Sequence, residues 1–132
     1  MFLGHFAAAY AAKKIQPDIS LGSCFFAAQW LDLLWPLLLL TGTERVLIEP
    51  GNSASTPLHF VEYPISHSLL AVAGWAVAAG MLYYLFTRKG RSALVIVALV
   101  LSHWFLDLLV HVPDLPISPF TDTKLGLGLW NY

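Results

Sequence analysis

A single cysteine, Cys24, is all the chain contains, so no intrachain disulfide can form and no cysteine-rich zinc motif exists. Lying in an apolar segment, it reads as an inert buried thiol. Charge is scarce too: 11% of residues are Asp, Glu, Lys or Arg, against about 25% in an ordinary soluble domain. The net charge of −1 offers no basic surface for nucleic acid. No glycine-rich phosphate loop precedes a helical segment, and no Gly-x-Ser-x-Gly elbow is present. No internal repeat, low-complexity tract or domain linker breaks the 132 residues, which are read as one membrane-embedded helical domain, 1–132.

What remains is oil. Of the residues, 58% are apolar, and three runs approach the roughly 20 residues needed to cross a bilayer core of about 30 Å. Leu21–Leu40, Ser68–Thr87 and Ser92–Val110 are the expected spans. Phe2–Ala12 is too short to cross and reads as a half-helix, ended by Lys13, Lys14 and Pro17. It lacks the basic start of a signal peptide, so it is expected to be retained. Residues 41–66, with breakers at Pro50, Gly51, Pro57 and Pro64, form an extracytoplasmic loop. Its one strand signal, Arg45–Ile48, is too short to rely on. After His111, prolines 113, 116 and 119 stop the last helix. The expected fold is thus all-α: a small polytopic membrane helix bundle of three spans plus an N-terminal half-helix.

Orientation follows from the cations. Lys13 and Lys14 fall in one connection and Arg88, Lys89 and Arg91 in another, and the positive-inside rule puts both in the cytoplasm. His5, Asp32, His67, His103 and Asp107 then all belong to the outer half of the membrane. Small residues flank two of them: Ala8, Ala9 and Ala12 share a face with His5, and Ala71, Gly74 and Ala78 share one with His67. Such stripes permit close helix approach. They are equally consistent with plain packing, the histidines serving as interfacial caps. Pro36 cannot donate to the carbonyl of Asp32, four residues back, which either frees an acceptor there or simply bends the helix. Gln29, one turn before Asp32, either orients that carboxylate or bonds a neighbouring helix.

The densest signal is Ser102–His111, where His103, Asp107 and His111 recur every four residues inside an apolar run. That spacing stacks them on one helical face. Ionisable groups at such depth are costly unless they meet protein, water or metal. Mixed imidazole and carboxylate donors suit zinc, and also manganese or iron. A cation would relieve the repulsion of Asp32 and Asp107 buried together. His111 is either a further ligand or a surface residue beside Pro113. Glu62 and His59 are either a general base and substrate contact or solvated loop residues, and the catalytic group stays unassigned with Glu62 as its one candidate. Glu44, Glu49, Asp114 and Asp122 read as surface charges.

Together, Gly4-His5-Phe6, Gln29-Trp30-Leu31-Asp32, Pro64-Ile65-Ser66-His67-Ser68 and Ser102-His103-Trp104-Phe105-Leu106-Asp107 resemble the bacterial family of integral-membrane metal-dependent hydrolases. The resemblance runs from Phe2 to about Asp114. It implies His5, Asp32, His67, His103 and Asp107 as ligands of a divalent metal ion, zinc foremost, and a place in the bacterial inner membrane. Two features depart from the family: members carry a Pro-Asp-x-Asp element where this chain has Gln29-Trp30-Leu31-Asp32, and they often continue into further membrane helices. The expected function is hydrolysis by metal-activated water of a lipid-like or other amphipathic substrate. The alternative is a non-catalytic accessory subunit of a larger membrane complex, with a structural metal or a polar helix clamp. Transport through the buried carboxylates fits less well, because the cytoplasmic halves of the spans are nearly free of polar residues. Haem or pigment ligation fits poorly with a carboxylate one turn from the histidine. Expected partners are membrane lipid and other subunits of such a complex, not nucleic acid.

Overall fold

A computed structural model describes residues 3–131; Phe2, the first residue of the expected half-helix, lies outside them. The chain is mostly α. Its helices are α1 (His5–Ile15), α2 (Leu21–Leu40), α3 (Leu69–Thr87) and α4 (Gly90–Val110). The last three, of 20, 19 and 21 residues, are long and apolar enough to cross a membrane, spanning about 30 Å each at 1.5 Å per residue. This is a multi-pass membrane architecture. At 11 residues, α1 reaches only about half that depth.

The helix ends follow from local chemistry. Ser20 and Ser68 cap α2 and α3 by accepting from the amides of Ser23 and Ala71, which satisfies donors no helix can use internally. α2 runs on through Pro36. Lys13 and Lys14 do not end α1; they lie within its last turn, where cations suit the helix dipole. The Lys13 ammonium reaches past Pro17 and donates to the carbonyls of Pro17 (2.6 Å) and Ile19 (2.8 Å). α3 stops at Arg88, which adopts the left-handed conformation (φ 58°).

α4 is the central helix, packed on α1, α2 and α3. Its buried stripe, Ile96, Leu99, His103, Asp107 and Val110, repeats at helical spacing, so the core and the ionisable groups share one face. α3 buries Val72, Ala76 and Gly80 rather than the expected Ala71, Gly74 and Ala78. His67 precedes α3, so its direction does not follow that helix's register. At Gly80 an added Cβ would run into the Val97 side chain and approach the Ala93 carbonyl to 3.2 Å, so α3 and α4 meet where only glycine fits. At the basic end, Gln16 of the α1–α2 corner bonds the Ser92 hydroxyl (3.3 Å).

The opposite end is roofed by two pieces of irregular chain. The short strand signal at Arg45–Ile48 is a strand, β1, paired antiparallel with β2 (Leu58–Glu62) in register Val46–Phe60 and Ile48–Leu58, so the expected loop 41–66 holds a hairpin. The tail folds back through two short strands, β3 (Leu115–Pro116) and β4 (Lys124–Leu125), and a 3₁₀ turn, Leu129–Asn131. Amides of Leu127 and Gly128 donate to the carbonyls of Leu108 (2.8 Å) and His111 (2.7 Å), satisfying acceptors left open at the end of α4.

Candidate metal centre

Under this roof the structure brings together side chains from four segments. On α4, His103 Nε2 lies 3.2 Å from Asp107 Oδ2, one turn away. At the start of α1, His5 stacks on the His103 ring (centroids 3.6 Å apart, planes 10° apart) and points Nε2 at Asp107 Oδ1, 3.3 Å away. Asp32, on α2, sets Oδ1 3.6 Å from His103 Nε2 and 3.8 Å from His67 Nε2, with Oδ2 3.9 Å from His5 Nε2. His67, just before α3, completes the ring at 3.9 Å from Asp107 Oδ2. All five residues singled out by the sequence therefore meet. All are buried except Asp32, whose side chain is 19% exposed.

Each of three imidazoles is anchored through Nδ1. His103 Nδ1 lies 2.7 Å from the Ala28 carbonyl, a pure acceptor, so it carries the hydrogen and the neutral ring presents a bare Nε2. The His67 arrangement has one more link. Ser66 Oγ donates to Glu44 Oε2 (2.6 Å), so the remaining short contact, His67 Nδ1 to Ser66 Oγ at 2.7 Å, is donated by the histidine. Burial pushes the His67 imidazolium below its ordinary pKa, which favours the neutral ring with a free Nε2. His111 Nδ1 donates to Asp114 Oδ1 (3.0 Å), leaving its Nε2 3.9 Å from Asp107 Oδ1. Anchoring of Nδ1 by a carboxylate, carbonyl or hydroxyl is how metal-ligating histidines are oriented.

Glu44 and Asp114 are therefore not surface charges. Glu44 is 2% exposed and also accepts from the amides of Ile65 (2.8 Å) and Ser66 (2.7 Å). Asp114, 6% exposed, accepts from Tyr63 as well as His111. Burial and the adjacent Asp114 charge hold the Tyr63 phenol well above its ordinary pKa of 10.0. Glu44 is 22 residues from Ser66, and only the folded loop joins them. By contrast, Glu62 sits on the exposed edge of the hairpin, 3.9 Å from Arg45, and His59 pairs there with Glu49 at 2.9 Å. Neither is among the groups that meet at the centre.

The donor set fits a cation. Two groups, His5/His103/Asp107 and Asp32/His67/His103, have ligand atoms within 4.8 Å of one another and could hold a metal ion. Among the described residues, Asp32 Oδ2 and His103 Nε2 are buried with no hydrogen-bond partner. Buried polar atoms without partners are costly, and a cation would satisfy both. A cavity of about 240 Å³ borders the cluster, lined by the polar Asp32, His67, Asp107 and His111 together with the largely apolar Trp35, Leu58, Phe60 and Trp130. The larger cavity, about 410 Å³ between α2 and α3, has no histidine or acidic side chain in its wall and is not a candidate for this chemistry.

No protein-family model, curated protein or solved structure matches the chain.

Proposed function

We propose that the chain is a membrane-embedded, metal-dependent hydrolase of a bacterial inner membrane, acting on an amphipathic, lipid-like ester, phosphoester or amide. The observation that carries this reading is the set of anchored histidines whose Nε2 atoms surround two carboxylates at the edge of a cavity. His5, Asp32, His67, His103 and Asp107 hold a divalent ion, zinc being the best match to imidazole and carboxylate donors. When bound, the ion supplies Lewis acidity, polarising a carbonyl or phosphoryl oxygen and lowering the pKa of water to about 7. The rest is done by the chain itself. Ala28, Ser66 and Asp114 fix the imidazoles. Trp35, Leu58, Phe60 and Trp130 add apolar surface to the same cavity, which suits a substrate with one apolar and one hydrolysable part. The basic connections at Lys13–Lys14 and Arg88–Arg91 orient that mouth away from the cytoplasm.

The test is turnover by zinc-loaded protein in lipid nanodiscs, using amphipathic carboxylic esters, phosphoesters and amides. Hydrolysis of one class, abolished by chelator and by Asp107→Asn, is the expected result. Retained zinc with no turnover of any class would favour a structural metal in an accessory subunit.

A further inference from the structure

On the metal-centre reading above, we infer that the cluster is dinuclear: it holds two divalent cations bridged by Asp32 and Asp107, with His111 as a ligand of the second. The decisive observation is the parallel stack of His5 on His103, with centroids 3.6 Å and planes 10° apart. The lone pair of an imidazole nitrogen lies in the plane of its ring. Two nearly parallel planes a few ångströms apart share no point at which one ion could meet both lone pairs. Yet both rings face the same carboxylate, one at each oxygen: His5 at Asp107 Oδ1 (3.3 Å) and His103 at Oδ2 (3.2 Å). A carboxylate flanked in that way has one oxygen to offer each of two ions.

The other contacts divide along the same line. His67 Nε2 lies on the His103 side, 3.9 Å from Asp107 Oδ2. His111 Nε2 lies on the His5 side, 3.9 Å from Asp107 Oδ1. Asp32 repeats the split: Oδ1 faces His67 and His103 (3.8 and 3.6 Å), and Oδ2 faces His5 (3.9 Å). One ion then takes His67, His103, Asp32 Oδ1 and Asp107 Oδ2. The other takes His5, His111, Asp32 Oδ2 and Asp107 Oδ1. Each has four protein donors, the number zinc prefers. The two candidate groups found around the cluster overlap only at His103, and one lone pair cannot serve two ions. Assigning His103 to one ion leaves a place at the other that His111 fills.

The experiment loads the full purified chain in nanodiscs with zinc, removes the excess, and measures zinc per chain. Two are expected for wild type and one for His111→Ala. One in wild type overturns the dinuclear assignment while leaving a mononuclear centre standing. None overturns both. Because His111→Ala could perturb the roof, manganese(II) is titrated into wild type as an independent measurement. An exchange-coupled electron paramagnetic resonance signal at two equivalents supports the pair. Uncoupled signals alone at two equivalents refute it.

Discussion

Glu44→Gln should damage the metal centre through a reversal of hydrogen-bond polarity, although Glu44 touches no ligand atom of it. In the wild type, hydrogens run outward from His67 Nδ1 to Ser66 Oγ and on to Glu44 Oε2. A glutamine can still accept from the Ile65 and Ser66 amides through its carbonyl. The atom facing Ser66 then becomes an NH2 donor. Ser66 must turn its hydrogen towards His67 Nδ1, and the neutral ring shifts its own hydrogen to Nε2, the atom aimed at Asp32 and Asp107. Loss of an outer partner of this kind typically costs 10–100-fold in metal affinity, about 1.4–2.7 kcal/mol. Ser66→Ala leaves Nδ1 without its acceptor and should fall between wild type and Glu44→Gln. Glu44→Ala does more. It strands two amides and a hydroxyl, each worth about 1–3 kcal/mol when buried and unsatisfied, and should destabilise the metal-free protein by about 3 kcal/mol or more. Zinc affinity by chelator competition, read beside thermal unfolding in detergent, separates the two effects. Glu44→Gln with wild-type zinc affinity would refute the relay.

Three further outcomes follow from the packing. Unfolded Tyr63 releases its proton near its ordinary 10.0, whereas the folded phenol holds it to higher pH. The unfolded state therefore binds fewer protons above that pH, and stability present below pH 10 is lost as pH rises; Tyr63→Phe should lack that part of the alkaline decline in a pH series of melting curves. Gly80→Leu should separate α3 from α4, costing about 1–3 kcal/mol as overpacking does, and lower the detergent melting temperature more than Gly80→Ala. Arg88→Gly should raise it, because a non-glycine residue in the left-handed region costs about 1–2 kcal/mol and glycine favours that place after a helix.

The spans were legible because each long apolar run is bounded by polar or breaking residues. Leu21–Leu40, between Ser20 and Thr41-Gly42, folds over the full predicted range. The His103–Asp107 pair was legible because helical periodicity alone puts both on one face. Lys13 and Lys14 misled, since α1 carries both in its last turn and runs on to Ile15, just before Pro17. The hairpin was missed because four residues carry little strand signal, and its partner, Leu58–Glu62, lies across a loop rich in breakers. Glu44 and Asp114 were misread for a related cause. A carboxylate on a loop is surface charge until tertiary structure buries it: Ser66 is far from Glu44 in the chain and Tyr63 far from Asp114, and His111, three residues before Asp114, is close to it in the sequence but meets it only where the chain turns at the end of α4. Lateral convergence of His5, Asp32 and His67 on α4 is likewise a property of packing, which spacing within one segment does not encode.

The central claim is that imidazoles and carboxylates here ligate a metal and do not merely pair with one another through shared protons. X-ray absorption at the zinc edge of the loaded protein reads this most directly. The account predicts a first shell of nitrogen and oxygen only, at about 2.0–2.1 Å, with the outer-shell scattering of several imidazoles, and its loss in Asp32→Ala and Asp107→Ala. A protein that retains no zinc after dialysis, or a shell containing the Cys24 sulfur, would contradict it.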